Sequence, residues 1–269
     1  MERRAAHAVA ACSAVLLLGC AGVRSPGGEP IAPERPGEAT PPGVVAPGVV
    51  QVEGGVVYER DTGAHEPDTR SVTAPDLELR VGVADAVELQ LFVDGWTHEQ
   101  PDDRSDRGSF GDTAVGVKAC FTQSDGWRPS LAVRALVSFP TGGDAETSGG
   151  VDPSLALLTQ WDLSERTQLV VDADLGAPSR GVGTSGRIFE LAPQIALQRT
   201  IAPRVAAYVE YAAVLRTAGE YDEHGVDGGF AWLPSDDLQL DVSAGLGLNS
   251  PAPDFFVAIG GAWRFVLGR

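Results

Sequence analysis

Positive charge, cysteine, histidine and long apolar runs are all scarce in this chain. Lys118 is its one lysine, and the formal net charge is −17. Such acidity argues against a nucleic-acid partner, which needs a basic surface to meet phosphates. Cysteine occurs as Cys12, Cys20 and Cys120. The first two fall in or beside an N-terminal leader, so no structural disulfide is expected, and Cys120 reads as a small strand residue. No stretch approaches the ~20 consecutive apolar residues that a membrane-spanning helix requires. A membrane protein of this composition therefore has to be a β-barrel. The histidines are His7, in the leader, and His65, His98 and His224, in expected loops. A barrel-wall hydrolase needs a base on a strand beside its serine, so no enzyme is expected, and no metal or cofactor site is expected either.

The N-terminus has a positive patch at Arg3 and Arg4, then an apolar run from Ala8 to Leu18. The run is too short to span a bilayer and reads as a secretory signal. Leu17-Leu18-Gly19-Cys20 resembles a bacterial lipobox, which implies removal of residues 1–19 and lipidation of Cys20. Ordinary cleavage after Ala21 is the alternative. Loss of residues 1–19 removes Arg3, Arg4 and Glu2 and leaves a net charge of −18. By the same resemblance, Ala21 after the cysteine favours sorting to the outer membrane. Residues 20–48, rich in proline and glycine, read as a flexible linker without core-forming pattern.

From residue 49 to residue 269 the chain is patterned. Leu238 to Asn249 alternates without a fault: Leu238, Leu240, Val242, Ala244, Leu246 and Leu248 oppose Gln239, Asp241, Ser243, Gly245, Gly247 and Asn249. A period of two marks a β-strand with one apolar and one polar face. Twelve such strands are expected, near 49–60, 76–83, 86–96, 111–122, 130–139, 154–162, 167–175, 187–198, 204–216, 225–233, 238–249 and 254–266. Long connectors rich in Gly, Asp and Ser, such as 61–75, 97–110 and 140–153, alternate with short ones, such as 84–85 and 163–166. Aromatics on the apolar face cluster near strand ends, among them Phe121, Phe139, Phe189, Trp232, Trp263 and Phe265. These features predict an all-β, antiparallel, up-and-down transmembrane barrel whose leucine side faces lipid. An even strand number puts both barrel ends on the periplasmic side. Pro193 interrupts the eighth strand, where a local bulge is expected.

The opposite face would line a lumen. Its ionisable groups are Glu53, Glu59, Glu78, Glu88, Asp94, Asp112, Asp162, Asp172, Asp174, Glu190, Glu210, Asp227 and Asp241 against Arg80, Lys118, Arg134, Arg216 and Arg264. Two readings follow. In an open pore this acidic field disfavours anions and passes neutral or cationic solutes; in a narrow barrel the same groups form a packed ion-pair plug. Phe92, Trp96, Tyr208 and Phe256 fall on the lumen side, as a path for aromatic compounds or as filler. Gly181 to Gly186, "GVGTSG", matches a dinucleotide fingerprint, but an alternating strand follows where that motif needs a helix. The acidic stretches Asp102 to Asp112 and Glu220 to His224 lack EF-hand spacing and read as solvated loops.

Several stretches, "GDTAVGVK" (Gly111 to Lys118), "VSFPTG" (Val137 to Gly142), "QLDVSAGLGL" (Gln239 to Leu248) and "GGAWRF" (Gly260 to Phe265), resemble a family of bacterial outer-membrane proteins assigned to transport in the meta-pathway of phenol degradation. The lipobox and the residues after Phe265 depart from that pattern. The resemblance implies an outer-membrane barrel acting as a channel or transporter for small, hydrophobic or aromatic solutes by passive diffusion. It also implies outer-membrane lipid, the barrel-assembly machinery and small-molecule solutes as partners, and it carries over no defined functional residues. A non-conducting structural or surface-display barrel is the alternative, and a soluble lipid-anchored β-sandwich is a third reading.

Overall fold

The computed structural model describes residues 29–62, 68–103, 105–217 and 220–266. The leader, Cys20 and His65 lie outside them. Fourteen strands follow in order: β1 (Val49–Asp61), β2 (Thr69–Ala84), β3 (Val87–Val93), β4 (Trp96–Pro101), β5 (Arg107–Phe110), β6 (Thr113–Thr122), β7 (Ser130–Phe139), β8 (Asp152–Ser164), β9 (Thr167–Gly176), β10 (Glu190–Ala202), β11 (Val205–Arg216), β12 (Glu223–Ser235), β13 (Leu238–Gly247) and β14 (Phe255–Val266). Every pairing is antiparallel. The sheet closes on itself because β1 pairs both with β2 and with β14, from Val49↔Val266 to Arg60↔Phe255.

The closed wall has twelve members. β3 pairs with the second half of β2 and β4 with the first half. β3 and β4 are thus one strand jogged at Asp94 and Gly95, and β5 and β6 are one strand jogged at Gly111 and Asp112. Asp94 N–H donates to Asp112 O (3.2 Å) and Gly111 N–H to Gly95 O (3.2 Å), carrying the ladder across the jog. Residues 97–110, expected as a loop, therefore contain the β4–β5 hairpin, and β2 begins at Thr69 inside an expected loop. The polar run from Thr69 to Thr73 and then Pro75 hid that half of β2.

Alternation decides the faces. In β13, Leu240, Val242 and Leu246 are exposed while Gln239, Asp241 and Ser243 are buried. Leu89, Leu157, Leu197, Val209 and Ile259 stand outward on their strands in the same way. Closure pairs the wall strands' backbone groups without leaving an edge, which hydrocarbon surroundings require. Outward aromatics form two belts. Trp263 and Phe265 (ring centroids 4.8 Å apart) and Trp232 lie toward the end where β1 begins and β14 finishes, here the terminal end. Phe139, Phe189 and the Trp96–Phe110 pair (5.1 Å) lie toward the loop end.

Four expectations need correction. Pro193 makes no bulge: β9 pairs with it in continuous register at Ala173, and the β10–β11 register is the same on both sides of it. Trp96 is outward and 44% exposed; the jog at Asp94 and Gly95 changes its phase. His98 lies in β4 and His224 in β12; His224 Nδ1 bonds Tyr211 Oη at 2.7 Å. The linker expectation also fails for residues 29–48. Ile31, Pro33, Glu34, Arg35, Ala39, Thr40 and Val45 are buried inside the barrel. Cys120 is half-buried, packed on Ala132, Ala156 and Leu158, and in no disulfide. Residues 181–186 are loop, and β10 follows them.

Candidate functional site

The segment from Ile31 to Gly48 has no regular structure, and its prolines lack a donor. Inside a barrel, its remaining N–H and C=O groups need partners, and the wall supplies them. Glu34 and Arg35 N–H donate to Glu53 Oε2 (2.8 and 3.1 Å). Glu38 and Ala39 N–H donate to the Glu210 carboxylate (2.9 and 2.7 Å). Thr40 N–H donates to Asp172, and Val45 N–H to Glu88 Oε2 at 2.6 Å. Wall donors meet the carbonyls in turn. Ala32 O accepts from Arg80 Nη1 (3.1 Å), Gly43 O from Arg80 Nη2 (3.1 Å), Arg35 O from Gln239 (3.2 Å) and Pro36 O from Tyr208 Oη (3.3 Å). Hydrogen bonds to charged groups contribute about 1.5–3 kcal/mol each, so the carboxylates fix the path of a chain with no structure of its own.

The path is a U. Ile31 N–H donates to Asp236 O (2.7 Å) in the β12–β13 turn, and Gly48 N–H to Gly82 O (3.1 Å) beside the β2–β3 turn. Both turns are at the terminal end. The bend, Glu38 to Thr40, reaches Glu210 and Asp172, halfway along β11 and β9.

An ion network pins the first limb. Glu34 contacts Lys118 and lies 3.2 Å from Arg80 and 3.5 Å from Arg134. Arg80 also reaches Glu88 (2.9 Å), Glu53 (3.1 Å) and Glu78 (4.0 Å), and Lys118 reaches Glu88 (3.2 Å). Arg35 pairs with Asp241 (3.2 Å) and Arg134 with Asp174 (3.4 Å). Burial alone would raise the Glu34 carboxyl. The charges of Arg80, Lys118 and Arg134 outweigh it and hold the group down at about 2. Arg80, Lys118, Glu34, Glu53, Glu88, Glu210, Gln51, Gln198 and Gln239 are each under 2% exposed. Among the described residues, the lumen at this level is packed.

Toward the loop end the lumen opens into a cavity of about 220 Å³ whose lining includes Glu38 from the bend of the segment. Glu59, Asp174, Glu190, Arg216, Glu223 and Asp227 give it charge; Ala212, Val214, Ala252 and Phe256 give it an apolar wall. Arg216 lies 2.7 Å from Glu190 and 2.5 Å from Glu223.

The expected inward residues thus fall into distinct groups. Glu78, Arg80, Glu88, Lys118 and Arg134 form the network. Asp172, Glu210 and Asp241 hold the segment. Asp174, Glu190 and Arg216 line the cavity. Asp94 sits at the jog beside Asp112, whose carboxylate accepts from Gly142 and Ser148 N–H (both 3.0 Å) and so anchors the 140–151 loop. Arg264 stands apart, bound to Asp237 (2.6 Å) at the terminal rim. Sequence reading missed Glu34, Arg35 and Glu38. Their one signal was the presence of charge within a proline- and glycine-rich stretch.

The same barrel occurs in solved structures. An outer membrane channel from Pseudomonas putida F1 superposes with a TM-score of 0.67 at 12% identity, covering 90% of this chain and 100% of that one. The NanC porin gives 0.54 at 9% identity, covering 80% and 98%, and the KdgM porin 0.52 at 9% identity, covering 80% and 99%. At these identities the likeness is one of fold. No curated protein matches by sequence. A family match covers residues 34–265, taking in the buried segment from Glu34 onward as well as the wall. The chain belongs to the family described as "Putative MetA-pathway of phenol degradation".

Proposed function

We propose that this protein is a channel of the bacterial outer membrane for small solutes, with its own N-terminal segment seated in the pore as a gate. The observation that carries the reading is the pairing of a packed terminal half with an apolar-walled, acid-rich cavity at the loop end. A purely structural barrel has no need of such a cavity, and a simple diffusion pore would not fill its middle. The loop end faces outward, and the anchor expected at Cys20, lipidated once residues 1–19 are removed, is on the periplasmic side. Solutes enter the cavity and pass when the segment shifts. The acids inside disfavour anions, so small neutral molecules, including aromatic ones, and cations are the expected cargo. The packed network also favours a second reading, a barrel that never conducts.

Flux into proteoliposomes separates the two, with insertion verified by a heat-dependent gel shift. Uptake of neutral aromatics and organic cations above that of organic acids of similar size supports the channel. Inserted protein that passes none of them supports the closed barrel.

A further inference from the structure

We propose that the outward face of the terminal rim, over the turns from β6–β7 to β10–β11, docks the phosphate headgroups of anionic phospholipid in the periplasmic leaflet, with Arg199 at its centre. The inference takes from the reading above only the orientation of the barrel, and it holds whether or not the pore conducts.

Phase places the central cation. In β10 the exposed Ile195, Leu197 and Ile201 alternate with the buried Ala196 and Gln198, so Arg199 stands on the lipid-facing side between Leu197 and Ile201. A lipid-facing guanidinium is unfavourable unless an anion meets it, and the wall supplies none. Arg199 Nη1 donates to Thr167 Oγ1 at 3.0 Å, which aims the group without neutralising it. Its neighbour across the other ladder is Ala207, too small to cover it. Arg166 is exposed in the β8–β9 turn, and its carbonyl accepts from Thr200 N–H (2.9 Å), one residue past Arg199. In the β6–β7 turn, reciprocal backbone bonds between Asp125 and Arg128 (3.0 and 3.1 Å) present Arg128 and Trp127, the latter 91% exposed. Asp125 and Glu165 share these turns, yet among the described residues Arg128, Arg166 and Arg199 form no ion pair. Elsewhere on the rim arginines are matched, Arg204 with Asp236 at 2.8 Å and Arg264 with Asp237 at 2.6 Å. In a chain of net charge −17, unmatched arginines on neighbouring turns call for an anion from outside the protein. The guanidinium fork suits a phosphate, indole rings settle at the headgroup level, and basic surfaces at a membrane hold anionic lipids.

The test is native mass spectrometry of the full-length protein in detergent, offered phosphatidylglycerol and phosphatidylcholine in equal amounts. Retention of phosphatidylglycerol about tenfold or more above phosphatidylcholine is expected. Arg199→Gln and Arg166→Gln are each expected to cut that preference about fivefold, the effect of one basic residue at an anionic surface, while the heat-dependent gel shift is kept. Arg166→Gln carries the test if Arg199→Gln fails to fold. Arg204→Gln removes a cation that is already paired and should leave the preference unchanged, and millimolar inorganic phosphate should not displace the lipid. Equal retention of the two lipids, wild-type preference in a folded Arg199 or Arg166 variant, an equal loss in Arg204→Gln, or displacement by free phosphate would overturn the proposal. Lipid preference without flux would leave this site standing and remove the channel, whereas flux without lipid preference would remove the site and leave the channel.

Discussion

Replacing Glu34 with glutamine keeps the side-chain shape and removes the charge that Lys118, Arg80 and Arg134 surround. The cost can be worked in two ways. The carboxyl is held at about 2 against an ordinary 4.5; at 1.36 kcal/mol per pKa unit, its ionised form is favoured by roughly 3 kcal/mol. Breaking a buried ion pair from one side typically costs about 3–5 kcal/mol. The lower figure is preferred, because Glu53, Glu78 and Glu88 still share the cations. Barrel closure does not depend on Glu34, since the ladders run strand to strand, so the loss falls on seating of the segment. About 3 kcal/mol shifts the seated-to-unseated ratio by about a hundredfold. A glutamate-specific protease reads this directly, because cleavage after Glu38 creates a new N-terminus at Ala39, which is fully buried when seated. When opening is fast relative to cutting, the rate follows the open population. A rise of about two orders of magnitude with an unchanged gel shift is predicted. An unchanged cleavage rate would refute the reasoning.

Acid should act through the same carboxylate. A depressed pKa contributes stability that is complete above about pH 4.5 and is lost as pH falls toward 2. The part of the segment's protection that depends on Glu34, read as the difference between wild type and Glu34→Gln in hydrogen exchange at Ala39 and Thr40, should therefore hold down to about pH 4.5 and vanish toward pH 2. Gly82→Val should also unseat the segment, because a Cβ there would lie 2.0 Å from Ala46 O and 2.4 Å from Val45 O. Overpacking of this kind costs about 1–3 kcal/mol, which predicts a fivefold to hundredfold rise in cleavage after Glu38. Cys120→Ser should leave the barrel's gel shift unchanged, because the thiol forms no disulfide.

The barrel was legible in the sequence because each wall strand repeats one rule, apolar toward lipid and polar inward. β13 shows this from Leu238 to Gly247, and β7 has the bounds its alternation implies, Ser130–Phe139. The β4–β5 hairpin was not legible. After Trp96 the outward positions of β4 are His98 and Gln100, so Trp96 to Pro101 carries no apolar face for a periodicity to reveal. The N-terminal segment was hidden for a different reason. Its seat is made by carboxylates far along the chain, Glu53, Glu88, Asp172 and Glu210, which bind backbone N–H groups rather than side chains. No local pattern in Pro33 to Val45 records that. The partners of Glu53, Glu88, Asp172 and Glu210 were not legible, because they lie in a stretch that reads as linker.

The most direct test of a gated channel is conductance in planar bilayers, comparing the full chain with a variant lacking residues 30–44. The account predicts rare, brief openings for the full chain and a steady, cation-preferring conductance for the shortened one, with the barrel gel shift retained by both. A shortened barrel that inserts and still fails to conduct, or that conducts no more than the full chain, would contradict it.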